Sequence, residues 1–272
     1  MTFGARLREW RKRRGLSQLD LGLDAEVSAR HLSFLETGRS NPSREMVLRL
    51  GAALDLPLRE RNELLLEAGF APEFEERGWD DDELAAVERG LEHLLEAHDP
   101  YPAFVIDRYW DLVRWNRSHE ALLGEIEGYG RSEPVNALEL LLRPGALRDR
   151  VANWDEVAAV VMARLERQIA RTGDERLRRL WDWAREQPGV FEVTAAGRPT
   201  TRRPFVPLEL DLGSRPLGAG HLGDGRLRLF NTLAVVGATG DVTLDEMVIE
   251  AFYPADEATR EFLQERARRA TT

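Results

Sequence analysis

The chain has 272 residues, 43% hydrophobic and 32% charged, with a net charge of −10 and no cysteine. That length fits two domains, the composition is that of a soluble globular protein, and no run of eighteen apolar residues offers a membrane span. The lack of cysteine excludes disulfides, thiolate zinc sites and cysteine nucleophiles and suits a reducing cytoplasm, while the start MTFGARLREWRKRRG has no apolar stretch behind it and does not read as a secretory signal.

Charge is unevenly spread. Residues 1–70 carry 12 basic and 10 acidic side chains, a balance of +2, and the remainder carries −12. The first fourteen residues hold Arg6, Arg8, Arg11, Lys12, Arg13 and Arg14 against Glu9 alone. A nucleic acid responds to the field within roughly 8–10 Å, so the acidic total does not exclude DNA. The competing reading of the cluster is a solvated helix face.

Five short helices are predicted in this part. The first spans about Phe3 to Arg13, with Phe3, Leu7 and Trp10 on one face and Gly15 closing it. Ser17 is an N-cap for the second, with Asp20 three residues on. Leu21 and Ala25 face inward, and Gly22 is small where two helices cross. Val27 is a buried plug. Ser28 caps a third helix, Ala29 to Thr37, which buries Leu32 and Leu35 and ends at Gly38. Pro42 and Ser43 open a fourth with Met46, Val47, Leu50 and Leu54 inward. Pro57 breaks it, and Leu58 to Ala68 forms a fifth.

Two short helices joined by a tight turn, the second capped, make a helix-turn-helix. The stretch GLSQLDLGLDAEVSARHLSFLETGRSNPS resembles the lambda-repressor-like class called the XRE family, over about residues 3–56. Ser17, Gln18, Leu21, Val27, Ser28, Leu32, Leu35, Glu36, Gly38 and Pro42 fall where that family places them. Glu26 stands where the wider family commonly has Gly at positive φ, a departure that costs about 1 kcal/mol. The resemblance implies that Gln18 meets a phosphate. It also implies that Ser28 and the helix it caps meet the DNA, the helix lying in the major groove with Ala29, Arg30, Ser33 and Phe34 outward. Arg30 would pair with guanine, and Ala29 and Phe34 would touch thymine methyls. Arg39, Asn41 and Arg44 are expected on phosphates, and Arg11 with Glu36 as a structural ion pair. An unengaged surface arginine is the alternative for Arg30, and packing on a neighbour is the alternative for Phe34.

Residues 71–82, APEFEERGWDDD, read as a linker, giving a DNA-binding domain over 1–70 and a second domain over 83–272. Glu83 to Ala97 is an amphipathic helix, fit to pack on its own domain or on a second subunit. Two strands, Ala103–Ile106 and Asp111–Trp115, flank a turn at Asp107–Tyr109. Helices follow at Ser118–Leu123, 136–142, Trp154–Arg171 and Glu175–Arg185. Strands are predicted at Phe205–Leu212, Arg226–Val236 and Val242–Phe252, and a last helix at Glu257–Arg269. This is an α+β domain with an antiparallel sheet and flanking helices. Its order resembles a PAS-like fold. With LPLRERNELLLEAGFAP, FVIDRYWDLVRWN and VTLDEMVIEAFYPAD, the whole chain resembles the MmyB-like branch of XRE regulators. That resemblance implies a fatty-acid-like ligand in the second domain.

Phe104, Ile106, Leu112, Trp115, Leu122, Trp154, Val161, Phe230 and Phe252 are candidates for an apolar pocket, with Arg114 or Asn116 holding a polar head. Ordinary core packing competes for each apolar residue, and a surface or structural role for the two polar ones. No catalytic constellation appears. The five histidines His31, His93, His98, His119 and His221 are scattered, so no metal site is expected. Gly218, Gly220, Gly223 and Gly225 read as a hairpin turn rather than a phosphate loop. No cofactor is expected beyond the ligand. The expectation is a cytoplasmic, non-enzymatic, homodimeric regulator reading a pseudo-palindromic operator in double-stranded DNA, with half-sites about 34 Å apart and no membrane partner. The alternative is a constitutive repressor whose second domain only dimerises or recruits another protein.

Overall fold

Phe3, Leu7 and Trp10 repeat at helical spacing, and all three are buried in the core of a five-helix head. The structure, a computed structural model, describes residues 1–78, 81–124, 135–145, 147–195, 205–212, 222, 224–237 and 240–270. The head helices are α1 (Phe3–Arg13), α2 (Gln18–Asp24), α3 (Ala29–Glu36), α4 (Arg44–Ala53) and α5 (Leu58–Glu67). Each start has a local cause. Ser17 accepts from the Asp20 N–H at 3.1 Å while Asp20 accepts from the Ser17 N–H at 3.0 Å, a reciprocal cap. Ser28 and Ser43 accept from the N–H of His31 and Met46, each at 3.2 Å. Glu26 takes φ 56° at the turn between α2 and α3.

Two glycines set how closely the helices pack. A Cβ on Gly22 would lie 2.5 Å from the Val27 carbonyl oxygen, and one on Gly4 would lie 2.4 Å from that of Leu35. Only hydrogen at these positions lets α2 and α1 approach α3. Leu7, Leu21, Leu32, Leu35, Leu50 and Leu64 fill the space between them.

The chain divides into two compact units. The first runs from Met1 to Gly78 and takes in Ala170–Gly173 and Gly237–Asp245. Residues expected as linker are tied down here. The Asn62 amide oxygen accepts from the N–H of Glu73 and Phe74 at 3.0 Å each, and its nitrogen donates to the Phe74 carbonyl at 2.7 Å. Val242 N–H donates to the Glu75 carbonyl at 2.8 Å, and Arg77 pairs with Asp241 at 3.1 Å.

The second unit is PAS-like. It holds a five-stranded antiparallel sheet made of β1 (Ala103–Ile106), β2 (Leu112–Trp115), β3 (Leu208–Asp211), β4 (Arg226–Val235) and β5 (Val248–Pro254), in the order β2-β1-β5-β4-β3. The flanking helices are α6 (Ala85–Ala97), α7 (Arg117–Leu123), α8 (Ala137–Leu142), α9 (Trp154–Thr172, the second unit as far as Ile169), α10 (Glu175–Arg185), α11 (Val190–Ala195) and α13 (Glu257–Ala270); α12 (Val242–Asp245) belongs to the first unit. Three expected strands change, the simplest being Phe205–Leu212, which shortens to Leu208–Asp211. Val242–Phe252 is broken, because the Asp241 carboxylate accepts from the Leu244 N–H at 3.1 Å and starts α12, so that pairing begins only at Val248. The strand expected from Asp111 begins at Leu112. Asp107 Oδ1 accepts from the N–H of Tyr109 and Asp111 at 2.8 and 2.9 Å, folding a tight turn that leaves Trp110 at φ 70°. Gly218, Gly220 and Gly223 lie outside the described residues, while Gly225, at φ 73°, leads directly into β4.

Candidate DNA-reading face and ligand cavity

The outward side of α3 begins at its cap. Ser28 is exposed, Ala29 is half-buried, and Arg30 is exposed in the first turn. Ser33 and Phe34 follow, both half-buried. The Phe34 ring lies between two cations, with the Arg30 guanidinium 5.5 Å and the Arg39 guanidinium 5.9 Å from its centroid. Phe34 thus packs on its neighbours, the alternative weighed against a thymine contact, while remaining half-buried. Asn41 is exposed, and Arg44 is ion-paired with Glu73.

Behind this face sits a buried charge. Arg11 Nε donates to Glu36 Oε1 at 2.6 Å, a second guanidinium nitrogen donates to Oε2 at 3.0 Å, and a third donates to the Leu16 carbonyl at 2.8 Å. The side chains are 11% and 2% exposed. Gln18, the first residue of α2, donates to Glu36 Oε2 at 2.9 Å, leaving its second amide hydrogen for another acceptor. Burial pushes the Glu36 carboxyl up, but the hydrogen bonds from Arg11 and Gln18 outweigh it and hold the group below its ordinary range.

Arg30 is exposed in the first turn of α3, whereas Arg44 stands at the start of α4. Arg30→Ala is expected to reduce the preference for operator over random DNA, by about 1–3 kcal/mol at one base position. Arg44→Ala is expected to weaken both by a similar factor and lower the salt slope by about 1. Titrations at several salt concentrations distinguish the two; an Arg30→Ala protein with undiminished sequence preference would remove α3 from the reading role.

In the second unit two apolar clusters share Leu141, Trp154 and Phe252. Between them lies a cavity of about 260 Å³. Of the residues expected to form a pocket, Phe104, Leu112, Leu122, Val161 and Phe252 line it. The others lie elsewhere. Ile106 and Trp154 pack in the core, and Trp154 donates its indole N–H to the Leu141 carbonyl at 2.9 Å. Phe230 stacks on Tyr253 at 5.2 Å. Trp115 is 38% exposed.

The two expected head-group residues also fall away from the cavity. Arg114 pairs with Glu88. Asn116 is a buried structural hub: its oxygen accepts from the N–H of Ala103 and His119 at 3.0 Å each, and its nitrogen donates to the Tyr101 carbonyl at 2.8 Å. An asparagine that caps α7 and closes β1 has no atom left for a ligand.

The polar groups that do line the cavity come from α9, β4, β5 and α7: Arg164, Arg167, Asn231, Glu250 and His119. Arg164 pairs with Glu250 and lies 4.4 Å over the Trp110 ring. Trp110 donates to Gln168 at 2.9 Å, and Gln168 donates to the Arg108 carbonyl at 2.7 Å. The Arg108 guanidinium in turn holds Asp174 and Glu246, each at 2.5 Å. Arg164 and Gln168 share a helix with Val161, but their partners, Glu250 on β5 and Trp110 and Arg108 in the turn between β1 and β2, are distant in the chain, which no local spacing displays.

Burial lowers the His119 imidazole to about 3, so it stays neutral in the folded domain. The unfolded chain takes this proton first. Stability is therefore expected to fall as pH drops from about 6.5 towards 3, at up to roughly 1.4 kcal/mol per pH unit from this group. Denaturant melts of wild type and His119→Gln at pH 7 and pH 5 measure the difference; equal pH slopes would refute the assignment.

Among the described residues no helix is long and apolar enough to cross a membrane, and no group of three or more His, Asp or Glu side chains is placed to hold a metal ion. No curated protein matches the chain. Among solved structures, the restriction-modification controller protein C.AhdI from Aeromonas hydrophila is 39% identical, over 22% of this chain and 89% of its own, with a TM-score of 0.21. An RNA-binding light-oxygen-voltage receptor is 12% identical, over 97% of this chain and 61% of its own, with a TM-score of 0.22. A helix-turn-helix domain model matches residues 2–64. The MmyB-like transcription regulator ligand binding domain matches residues 87–265, and the chain belongs to that family, as an XRE-type regulator with a helix-turn-helix head.

Proposed function

We propose that this chain is a ligand-responsive regulator of transcription. Its second domain takes up a small apolar, fatty-acid-like molecule, and occupancy changes the affinity of the head for its operator. The observation that carries this reading is the 260 Å³ cavity between two otherwise well-filled clusters. A packed interior leaves few voids larger than a water, and an apolar void with a few polar groups at its wall is the form of a ligand site. The protein acts in the cytoplasm as a homodimer on a pseudo-palindromic site, as two-fold helix-turn-helix proteins do, without a catalytic step or cofactor.

Modulation has a physical route. The cavity wall residue Trp110 is bonded through Gln168 to Arg108. Arg108 grips Asp174 and Glu246, the residues at which the chain re-enters the second unit after Ala170–Gly173 and Gly237–Asp245. A ligand that moves Trp110 acts on this network inside the second unit. Coupling of about 1–3 kcal/mol, roughly 5–150-fold in affinity, is enough for a switch.

The test is native mass spectrometry of the purified protein before and after solvent extraction, followed by titration of both forms on a selected operator. A dimer carrying an adduct of a few hundred daltons, with operator affinities that differ at least fivefold, is expected. Equal affinities would leave a constitutive repressor whose second domain dimerises or recruits.

A further inference from the structure

Three arginines of the head, Arg30, Arg39 and Arg44, are expected on DNA, and one of them already holds an acid. Arg30 and Arg39 lie over the Phe34 ring and make no ion pair among the described residues. Arg44, at the start of α4, is ion-paired with Glu73. The carboxylate comes from 29 residues further along the chain, on a segment whose backbone is fixed. The Asn62 side chain, only 8% exposed, holds the N–H groups of Glu73 and Phe74 and the Phe74 carbonyl. Beyond them the Glu75 carbonyl accepts from the Val242 N–H at 2.8 Å, and the Arg77 carbonyl accepts from the Thr243 hydroxyl at 2.7 Å. The backbone of Glu73 is therefore anchored on both sides of the ion pair. The pair itself is open to solvent, with side chains 43% and 39% exposed.

Resting on the DNA-binding reading above, we infer that Glu73 is an internal competitor for the DNA phosphate: it occupies the Arg44 guanidinium in the free protein and is displaced when Arg44 meets the backbone. Carboxylate and phosphate engage a guanidinium through the same donors, so Arg44 cannot serve both in full. Displacement also leaves the Glu73 carboxylate on its anchored backbone beside the incoming phosphate, a contact between like charges. The effect falls on DNA of any sequence, because phosphates carry no sequence information, and it leaves the preference expected from Arg30 untouched. Exposure makes the exchange feasible. A solvent-exposed ion pair is worth up to about fivefold in an equilibrium, little enough to give way. The Arg11–Glu36 pair of the same head is buried and could not be traded without stranding a charge. The segment carries its own control in Glu76, which pairs at 2.6 Å with Arg59, a residue outside the expected DNA contacts.

The test is titration of the full chain on a selected operator and on random DNA of the same length, by fluorescence anisotropy at about 0.1 M salt. Glu73→Gln removes the charge and keeps the shape, and is expected to tighten binding to both DNAs by about three- to fivefold. Glu76→Gln makes the same change in net charge and is expected to shift either affinity by less than about twofold. In an Arg44→Ala background, Glu73→Gln is expected to add no more than Glu76→Gln does. Unshifted melting temperatures show that the variants fold. Equal effects of Glu73→Gln and Glu76→Gln would overturn the proposal, as would a Glu73→Gln gain that survives the loss of Arg44. Weaker binding by Glu73→Gln would overturn it too, since Glu73 would then be orienting Arg44 for the phosphate. If Arg44→Ala weakens binding while Glu73→Gln gains nothing, the DNA reading stands and the competitor falls alone. If Arg44→Ala binds both DNAs as wild type does, the phosphate contact and the competitor fall together.

Discussion

Arg11→Ala is expected to cost the helix-turn-helix about 3–5 kcal/mol, the loss typical of removing one partner from a buried ion pair. The Glu36 carboxylate is 2% exposed. With Arg11 gone it keeps only the Gln18 amide, and the Leu16 carbonyl loses its donor as well. Glu36 closes α3, so the same change loosens the helix expected to read the major groove. Hydrogen exchange at the amides of α1 and α3 isolates this unit from the other, and should accelerate by about 10²–10³-fold. The matched control is Arg11→Met with Glu36→Leu, which removes both charges at similar volume and is expected to stay within about 1 kcal/mol of wild type. An Arg11→Ala protein whose exchange rates stay within about threefold of wild type would mean that the pair is idle. Because the folded Glu36 titrates below its ordinary range, its contribution is present above the unfolded carboxylate pKa and is lost as pH falls through the lower, folded value.

That pair was legible in the sequence, and the ligand cavity was legible only in part, for a physical reason. The head is built from local rules. Ser17, Ser28 and Ser43 cap the helices they precede, and apolar residues at helical spacing reach one core. Glu26 takes the positive φ its position demands. In the second domain the apolar residues are equally visible, but which of them face a void depends on register between strands distant in the chain. Phe230 and Asn231 are neighbours on β4; their side chains alternate across the sheet, and only Asn231 faces the cavity. Polar groups mislead further. Arg114 and Asn116 lie beside the lining residue Leu112, yet one is held by Glu88 and the other by backbone groups. Arg164 and Arg167 stand in an amphipathic helix whose spacing suggests only a solvated face. What marks Arg164 is Glu250 on a strand 86 residues away.

Val161→Trp should separate a true cavity from a loosely drawn core. Val161 is half-buried on α9, one turn before Arg164, and lines the void. In a filled interior the extra ring atoms would force neighbours apart and cost about 1–3 kcal/mol. In a void of about 260 Å³ they gain contacts that valine lacks, so the extracted variant is expected to melt at or above the wild-type temperature. The same ring occupies the space of the ligand's chain, so uptake of an added fatty acid should fall by at least about 100-fold, or 2.7 kcal/mol, the transfer energy of some three to four buried methylenes. Operator affinity should then no longer respond to added ligand and should stay at one value. Phe230→Ala supplies the contrast, since it removes a ring stacked on Tyr253 away from the cavity and is expected to lower stability while leaving uptake in place. A Val161→Trp protein that melts several degrees lower and still binds ligand would place the ligand elsewhere; one that is stable, empty and fixed in its DNA affinity would tie the void, the ligand and the regulation to the same wall of α9.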